Sequence, residues 1–447
     1  MPLRTSSPRL PELQQKIRVH ENNRFLELVF TAKVDDSRYL HWDQLSRRTP
    51  PNGWSHEEWW FALKMRRQSQ MRRLPLRDKN GDGFGVNLTD EVLQLSEEIA
   101  RRAGGMLGGG KDELNDATSD LYLVRSLVEE SIRSSQLEGA STSRRVAVEM
   151  IESGRRPQSV SELMILNNYL AMREAKEAAQ GPLTPETVLA WHRTLTMGTL
   201  DDPSQSGRLQ TAADERVSVW ADQVCVHLPP PATELPDRLN ELCRFANGTP
   251  DDTPYLPPVV RAIITHFMFG YDHYFEDGNG RTARTAFYWS MLHNGYWIAE
   301  FATISAILRQ APGQYGDAYQ YTEDDEGDLT YFVLHQLRVF KRALDELDEY
   351  IAHKREENSR VRRALSSASG LLNFRQAQMI EALSEGQENA ITARRVASRY
   401  LVSEQTARND LRYLEGLGLL ARLPRSRPVI WVPIGDFADK LKELGFG

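Results

Sequence analysis

The chain has 447 residues, too many for one ordinary hydrophobic core, and this length predicts about two to four domains. Acidic residues outnumber basic ones by 62 to 55, which argues against a surface built as a whole for nucleic acid or for an anionic membrane. With only Cys225 and Cys243, the sequence has too few cysteines for a disulfide framework or a cysteine metal site. Met1 to Asn23 is polar, and no run of about 18 apolar residues occurs. We therefore expect a cytoplasmic protein without a membrane segment, and export by a route that needs no signal peptide stays open.

Residues 1–110 are expected to form an accessory N-terminal domain of mixed α+β character. An apolar run predicts a strand at Phe25–Val34, and periodic patterns predict helices at Ser55–Arg72 and Asp90–Arg102. The glycine-rich segment Gly104–Gly110 predicts a flexible break. No residue pattern in this part indicates chemistry.

Residues 111–347 are predicted to be dominantly helical. Val217–Leu228 is the exception, since its valines give it β character and the three prolines after it end the segment. The predicted helices cover about 121–138, Ser161–Ala179, Thr184–Leu195, Pro257–Tyr271, Arg281–His293 and Asp328–Arg363.

The rest of the chain is predicted to be a helical linker at 348–370, a small domain at 371–434 and a tail at 435–447. In the small domain, three helices precede a hairpin at Leu419–Val432, and they lie at Phe374–Leu383, Thr392–Tyr400 and after the cap Ser403. Three helices with a two-stranded wing indicate a winged helix-turn-helix.

The stretch His273–Arg284 reads His-Tyr-Phe-Glu-Asp-Gly-Asn-Gly-Arg-Thr-Ala-Arg and lies between two predicted helices. Gly278 and Gly280 let backbone N–H groups turn inward without a side-chain clash, and the following helix adds the positive end of its dipole. The stretch is therefore predicted to be an anion-binding loop that ends at a helix N-terminus.

The side chains around this loop suit a di- or triphosphate. Arg281 and Arg284 share one helix face, and each offers a planar fork to phosphate oxygens. Asp277 supplies a hard oxygen ligand for Mg²⁺, and His273 has the ordinary pKa near neutrality that a base for a hydroxyl nucleophile requires. Phe275, apolar in a polar loop, is predicted to anchor it to the core. The alternative, a plain Gly-Asn-Gly turn with solvated arginines, leaves the fixed offsets of these groups unexplained.

The same stretch resembles the signature of the Fic family, His-x-Phe-x-(Asp/Glu)-Gly-Asn-Gly-Arg-x-x-Arg. All eight specified positions match, and the one minor departure is Tyr274, where many members have proline. The resemblance covers residues 112–347, about half the chain. It implies a mainly α protein with a helical Fic (Fido) core and a β-hairpin flap, between the small N-terminal α+β region and the C-terminal winged helix-turn-helix.

The resemblance also implies a role for each matching residue. His273 would be the general base that activates a Ser, Thr or Tyr hydroxyl of a target protein, which then attacks the α-phosphorus of ATP while pyrophosphate leaves. The target would be held as an added strand by the flap, which contains Val217 and Val219. The remaining positions would hold Mg-ATP: Asp277 on the metal, Gly278, Asn279 and Gly280 as the anion hole, and Arg281 and Arg284 on the phosphates.

A second motif, Ser134-Ser-Gln-Leu-Glu138-Gly139, resembles the inhibitory (Ser/Thr)-x-x-x-Glu-(Gly/Asn) of the Fic subclass called class II. The resemblance implies that Glu138 pairs with Arg284 and takes the arginine that should hold the γ-phosphate. The alternative is a solvated glutamate at a helix end, which the presence of the catalytic loop in the same chain disfavours.

These motifs together predict a self-inhibited protein adenylyltransferase that uses Mg-ATP and modifies a target protein or itself. One alternative is the reverse reaction, in which Glu138 positions a water molecule that removes AMP. Another is a DNA-binding regulator with a nucleotide-sensing Fic core. The sequence leaves the target and the oligomeric state open, although a switch at Glu138 relieved by subunit rearrangement makes a homodimer reasonable.

The winged helix-turn-helix has nine arginines and six acidic residues between Leu371 and Pro433, a modest basic excess. Basic residues in the recognition helix and the wing suit DNA phosphates, whereas winged helices also dock proteins. The arginines in question are Arg394, Arg395, Arg399, Arg408 and Arg412 near the recognition helix, and Arg422, Arg425 and Arg427 in the wing.

Four weaker signals are interpreted as structural. Gly105–Lys111 nearly spells a phosphate-binding loop but is followed by Asp112 instead of Ser or Thr. Asp78–Gly83 opens like a calcium loop but has Thr89 at the position of the bidentate glutamate, so a polar turn is expected. Two histidines and two tryptophans on apolar helices are predicted to be core residues: His192, His266, Trp59 and Trp60.

Overall fold

The computed structural model describes residues 5–20, 22–30, 34–103, 116–221, 223–248, 254–300, 303–367, 370–384, 390–423 and 428–445. It confirms a mainly helical fold with a few short strands. The described residues fall into two compact units, drawn from the ranges Met1–Gly108 with Ser126–Leu344 and Gly109–Arg125 with Asp345–Gly447. Among the described residues, no helix is long and apolar enough to cross a membrane.

The N-terminal part of the first unit contains a helical cluster and one hairpin. Its elements are α1 (Leu10–His20), α2 (Asn22–Phe30), α3 (Trp42–Leu45), a 3₁₀ turn (Pro51–Gly53), α4 (His56–Gln70), β1 (Arg72–Arg77), β2 (Gly83–Val86) and α5 (Asp90–Ala103).

The prediction of a strand at Phe25–Val34 is wrong, because α2 occupies most of that stretch. Leu28 is buried, and the Phe25 ring lies 5.5 Å from the Phe61 ring of α4, so the apolar residues meet a helical neighbour at helical spacing. The helix α4 is confirmed, with Ser55 as its cap and with Trp59 and Trp60 buried as predicted.

The β character of this part comes from the antiparallel β1–β2 hairpin. Its turn is the stretch that resembles a calcium loop, and there the Asp78 carboxylate accepts the backbone N–H groups of Asn80 and Asp82, both at 2.8 Å. This confirms a polar turn. Gly85 of β2 exchanges backbone bonds with Gly327 and Leu329, so the hairpin packs in the same unit as the helices that follow.

The helices around the candidate site follow in chain order. They are α6 (Asp116–Leu137), α7 (Arg144–Ser153), α8 (Val160–Ala178), α9 (Pro185–Thr196), α10 (Leu235–Asn247), α11 (Pro258–Asp272), α12 (Asn279–His293), α13 (Ile304–Gln310), α14 (Pro312–Asp324) and α15 (Thr330–Ser367). Short 3₁₀ turns lie at Pro203–Gln205, Ala232–Glu234 and Trp297–Glu300. The phosphate-loop-like stretch Gly105–Lys111 and the predicted break at Gly104–Gly110 lie outside the described residues.

Helices α11 and α12 form the buried centre of this unit. α11 is apolar on most faces and buried along most of its length, as expected for a helix surrounded by others. α12 is likewise buried, from Asn279 to Met291 with few interruptions. The loop between them is the predicted anion-binding loop, so the core fixes both of its ends.

The predicted flap is an antiparallel hairpin of β3 (Val219–Ala221) and β4 (Val224–His227). Val217 lies two residues before β3, in irregular backbone, so the paired part of the flap is shorter than the stretch Val217–Leu228.

The second unit contains α16 (Phe374–Ser384), β5 (Ile391–Thr392), α17 (Ala393–Tyr400), α18 (Glu404–Gly416), β6 (Leu420–Arg422), β7 (Ile430–Pro433) and α19 (Phe437–Glu443). The three predicted helices are confirmed, with Thr392 and Ser403 as caps. The predicted hairpin at Leu419–Val432 is confirmed as the antiparallel pair β6–β7, and β5 adds a third strand that the sequence did not predict, in the order β5-β7-β6. The residues predicted to be a tail form α19, and its Phe437 and Leu441 are buried in the same apolar cluster as Trp431.

Candidate active site

The loop begins at His273, which follows α11 and has a left-handed backbone with φ 48° and ψ 63°. This conformation is uncommon for a residue other than glycine. Nδ1 of the ring donates to the Gly270 carbonyl at 2.7 Å, which leaves Nε2 as the nitrogen with a lone pair. Burial lowers the pKa of His273 below its ordinary value of 6.5, so the ring is neutral at pH 7. A neutral ring with a free Nε2 can accept a proton.

Phe275 and Asn279 close the loop on itself. The Asn279 side chain accepts the Phe275 N–H at 3.0 Å and donates to the Phe275 carbonyl at 2.8 Å. Its amide group is therefore occupied in holding the loop, and what it offers to an anion is its backbone N–H. Phe275 is fully buried, the position expected of a residue that anchors the loop to the core.

His192, on α9, packs against the loop. Its ring stacks on Phe275 with centroids 3.7 Å apart and planes 5° apart. Nε2 donates to the Asp277 carbonyl at 2.9 Å, while Nδ1 accepts the Gly207 N–H at 2.9 Å. Burial lowers the pKa of His192 to about 4, so this neutral tautomer persists at neutral pH. His192 and His266 are both buried as predicted, and His192 also positions the loop, which its sequence context did not indicate.

Helix α12 begins at Asn279, two residues after Asp277. Gly278 caps the helix with φ 84°, a conformation that suits glycine, and the first intrahelical bond runs from Thr282 N–H to the Gly278 carbonyl at 2.9 Å. The N–H groups of Asn279, Gly280 and Arg281 therefore precede the helical ladder and are the ones an α-helix leaves for another acceptor. We call these three N–H groups the nest.

A carboxylate already lies at the nest. A Cβ atom added to Gly280 would collide with Oε1 of Glu138 and would come within 3.1 Å of Arg284 Nη1. Glycine is needed at this position because both side chains approach its Cα closely. A carboxylate therefore lies beside the loop that the sequence predicts to bind phosphate.

Glu138 is held there by Arg284 on α12. Arg284 Nη2 donates to Glu138 Oε1 at 2.7 Å and to the Ser134 carbonyl at 3.1 Å, and its Nε donates to Ser134 Oγ at 2.8 Å. The Arg284 side chain is 3% exposed and that of Glu138 is 24% exposed. Burial opposes the charge of Arg284, but Glu138 outweighs it and the pKa of Arg284 stays raised. Glu138 and Arg284, which are 146 residues apart in the sequence, are thus in direct contact.

The end of α6 fixes the direction of Glu138. Gly139 has φ 93°, and Ala140 N–H donates back to the Ser135 carbonyl at 3.0 Å, which is the Schellman arrangement that ends a helix. Asn168 of α8 donates to the Ser131 carbonyl at 3.1 Å and so ties this last part of α6 to the core. Glycine at 139 is therefore the residue that stops the helix directly after Glu138.

Arg281 and Asp277 form a second pair at the nest. Arg281 is fully buried, and its guanidinium donates to Asp277 Oδ2 at 3.0 Å and to the Leu195 carbonyl at 3.1 Å. Its Nε has no partner within the described residues. The Asp277 side chain is 56% exposed, so part of its carboxylate faces solvent.

Residues 182–291, which include this loop, match the Fic/DOC family. The chain contains a Fic domain. Domains of this family typically transfer nucleotide phosphate groups to proteins, and nucleotidyl transfer is the class of activity that the match implies. Residues 375–423 match the DeoR-like helix-turn-helix domain, in agreement with the predicted C-terminal module.

Three solved structures that are similar to this chain are named as Fic proteins. A Fic family protein from Desulfovibrio desulfuricans is 20% identical over 78% of this chain and 97% of that chain, with a TM-score of 0.48. A Fic domain containing signaling protein from Bacteroides thetaiotaomicron is 18% identical over 56% and 95%, with a TM-score of 0.42. Fic-1 from C. elegans is 17% identical over 77% and 86%, with a TM-score of 0.47.

The flap of the Fic domain presents apolar side chains to solvent. Trp220 is 63% exposed and Val219 is 38% exposed, and Val224 on the paired strand is also exposed. Val217, outside the paired strands, is half-buried. Arg216, directly before the flap segment, donates to the His273 carbonyl, and His227 of β4 donates to the Tyr271 carbonyl of α11. Nothing in the sequence pattern singled out either residue.

Proposed function

We propose that the protein is a self-inhibited protein adenylyltransferase, which transfers AMP from Mg-ATP to a Ser, Thr or Tyr hydroxyl of a target protein or of itself. The observation that carries the proposal is the position of the Glu138 carboxylate, bound to buried Arg284 beside the glycine-lined nest. An anion of the chain itself lies where an anionic substrate would bind, next to a neutral histidine with a free nitrogen.

The residues of the loop fit ATP and Mg²⁺. The nest provides three N–H groups at a helix N-terminus, a ready site for phosphate oxygens. In the part of the chain that the structure describes, the buried Nε of Arg281 has no partner. Arg284 would exchange a carboxylate for a phosphate. Asp277 would be the oxygen ligand for Mg²⁺, since part of its carboxylate faces solvent. The metal would neutralise phosphate charge as the bond to phosphorus breaks.

In the proposed reaction, Nε2 of His273 takes the proton of the target hydroxyl. The hydroxyl oxygen forms a bond to the α-phosphorus, and the bond from that phosphorus to the bridging oxygen breaks, so pyrophosphate leaves with the electron pair. The chain contributes positioning and charge neutralisation at the phosphates, the usual means of catalysis at phosphorus. The Nδ1 bond to Gly270 makes Nε2 the nitrogen that accepts this proton.

Inhibition follows from competition for one arginine. While Glu138 is bound to Arg284, a phosphate that needs Arg284 must displace a carboxylate from a buried guanidinium. Nucleotide that binds without this displacement would lack one contact, and its α-phosphate would not be aligned for attack.

Intact-mass measurement after incubation with Mg-ATP tests the proposal on the wild type, Glu138→Gly and Glu138→Gly/His273→Ala. We expect an added AMP on Glu138→Gly, far less on the wild type and none on the double variant. The same assay with radiolabelled ATP and a cell lysate detects transfer to other proteins.

Equal labelling of the wild type and Glu138→Gly would contradict self-inhibition. Absence of transfer from ATP by either form, to itself or to lysate proteins, would contradict adenylyl transfer. Loss of AMP from a pre-modified target with the wild type, abolished in Glu138→Gly, would favour the reverse reaction in place of the forward one.

A second candidate function, DNA binding, is favoured by the match of residues 375–423 to a DeoR-like helix-turn-helix. In the recognition helix α18, Gln405, Asn409 and Arg412 are exposed and Arg408 is half-exposed. Two other arginines are used internally, since Arg375 pairs with Asp410 and Arg422 with Glu415. Arg425 and Arg427 lie outside the described residues.

The DNA proposal is tested by titrating labelled duplex DNA at several salt concentrations. Arg408→Ala and Arg412→Ala are each expected to weaken binding and to reduce the salt slope by about one. Arg363→Ala, which removes an exposed arginine of α15 paired with Glu356, is the control. Salt-independent binding, or equal loss in the control, would contradict the proposal.

A further inference from the structure

The carbonyls at the end of α11 are held from outside the helix. An α-helix leaves its last four carbonyls without intrahelical partners, so they need other donors. Four consecutive carbonyls, from Gly270 to His273, each accept such a bond. The donors are His273 Nδ1 to Gly270 at 2.7 Å, His227 Nε2 to Tyr271 at 2.7 Å, Arg216 Nη2 to Asp272 at 2.7 Å and Arg216 Nη1 to His273 at 2.9 Å.

Three of these four bonds come from the two ends of the flap. Arg216 lies three residues before β3, and His227 is the last residue of β4. Arg216 also donates from Nε to the Pro230 carbonyl at 2.9 Å, which joins the chain entering the flap to the chain leaving it. The Arg216 guanidinium therefore joins the two ends of the flap and also holds the C-terminal end of α11.

His227 is held on its other side as well. Its Nδ1 lies 2.9 Å from Oε2 of Glu323 on α14, and its ring is buried. With one nitrogen facing a carboxylate and the other a carbonyl, the ring has a single orientation. His227 thus connects α14, the flap and the helix end.

His273 needs this support because its backbone is left-handed. A residue other than glycine in that conformation persists when the surrounding structure over-determines it. The bond from Arg216 to the His273 carbonyl and the bond from the ring to Gly270 fix the residue at both main chain and side chain.

We propose that Arg216 and His227 are positioning residues for His273, and that the hairpin expected to bind the target is thereby part of the structure that aims the catalytic base. The inference deepens the proposed function, on which its catalytic part rests. A target chain that binds the flap would then influence the orientation of His273 through the bonds of Arg216 and His227.

The experiment uses the full chain in the Glu138→Gly background. Arg216→Lys keeps the positive charge but replaces a planar fork by a single ammonium group, and Arg216→Gln removes the charge too. His227→Gln tests the second connection. Arg208→Lys is the matched control, because Arg208 lies eight residues before Arg216 and pairs with Asp214 at 3.0 Å, and within the described residues it makes no bond to α11.

Three quantities are measured: the dissociation constant of ATP, the rate of AMP transfer at saturating ATP, and the tautomer of His273 by NMR of ¹⁵N-histidine-labelled protein. We expect Arg216→Lys and His227→Gln to slow transfer by about ten- to a hundredfold, since a shift of about 1 Å in a catalytic group has effects of this order. The dissociation constant of ATP should stay within about twofold, because the nest is not altered. The Nδ1–H form of His273 should be lost in Arg216→Lys and Arg216→Gln and kept in Arg208→Lys.

Unchanged transfer and an unchanged His273 tautomer in Arg216→Lys and His227→Gln would overturn the inference, as would an equal loss in Arg208→Lys. A parallel loss of ATP binding and of the folded state in both test variants would also overturn it, since that indicates a merely structural role. If Glu138→Gly transfers no AMP but the tautomer of His273 changes in Arg216→Lys, the positioning role stands and the proposed function fails.

Discussion

Replacing Glu138 by glutamine keeps an acceptor for Arg284 and removes the negative charge. An exposed ion pair contributes about 0–1 kcal/mol, whereas loss of one partner of a buried pair costs about 3–5 kcal/mol. The pair lies between these limits, because Arg284 is 3% exposed and Glu138 is 24% exposed. Arg284 also keeps its two bonds to Ser134. We therefore expect Glu138→Gln to lower the free energy of unfolding by about 1–2 kcal/mol.

Under the proposed function the same interaction opposes nucleotide binding, so its loss should lower the stability of the free protein and raise its affinity for Mg-ATP. A phosphate that must displace Glu138 from Arg284 binds less tightly by up to the free energy of the pair. With about 1.4 kcal/mol for each tenfold change, removal of 1–2 kcal/mol tightens the binding of Mg-ATP by about five- to thirtyfold. The variant should be less stable without nucleotide and more strongly stabilised by it.

Calorimetric titration with Mg-ATP in a His273→Ala background measures the affinity without turnover, and denaturant unfolding measures the stability. Glu129→Gln is the control, since Glu129 lies on the same helix and pairs with Arg133 and Arg144 away from the nest. We expect the control to change ATP affinity by less than about twofold.

Equal affinity for ATP in His273→Ala and in His273→Ala/Glu138→Gln would refute the competition argument. Lower affinity in the double variant would refute it too, because Glu138 would then support nucleotide binding. A loss of stability without any gain in affinity would mean that the pair is structural only.

Three further predictions concern single groups. Gly280→Ala should lower the unfolding free energy of the wild type much more than that of the Glu138→Gly variant, because its new methyl group collides with the Glu138 carboxylate. A double-mutant cycle of unfolding free energies measures this coupling. Burial raises the pKa of Glu130 from 4.5 to about 7, so the folded state binds more protons over this interval and stability falls as pH rises through it; Glu130→Gln should remove this slope in denaturant unfolding across the same interval. Because burial lowers the pKa of His273, the acidic limb of the pH profile for AMP transfer should lie below pH 6.5.

The part of the site that could be predicted from the sequence is the part that is local. His273, Asp277 and both arginines lie within twelve consecutive residues, so a loop followed by a helix brings them together whatever surrounds it. The Glu138 contact with Arg284 spans 146 residues, and only the resemblance to a known inhibitory motif indicated it. Helix caps such as Ser55, Thr392 and Ser403 could likewise be predicted from the sequence, because capping depends on the adjacent residues.

Contacts made across the fold left no such pattern. His192 was predicted to be a core residue, and its bond to the Asp277 carbonyl depends on how α9 packs against the loop. Arg216 and His227 bind main-chain carbonyls, which every residue has, so no residue type in α11 reveals the partner. The resemblance placed Asn279 in the anion hole, and its backbone N–H belongs to the nest, but nothing in the sequence indicated that its side chain closes the loop on Phe275.

The errors in secondary structure have physical reasons of a similar kind. The apolar run at Phe25–Val34 is short, and such a run does not distinguish a strand from a helix. Strand β1 contains Pro75 and lies in a sheet of two strands, where an edge position tolerates proline, so its sequence lacks the usual strand pattern. Strand β5 has two residues, too few for any periodicity.

The contacts of the loop also indicate how inhibition could be relieved. His273 is oriented by Gly270 and Arg216, and the loop behind it is held by His192 and Asn279. Within the described residues, Glu138 is bonded to none of these four and is held by Arg284. Removing Glu138 from the nest would therefore leave the base and the loop in place, since no bond that orients them is broken. Under the proposed self-inhibition, activation would then require the displacement of one side chain at the end of α6 and not a rearrangement of the active site, so a single substitution at Glu138 should be sufficient for release.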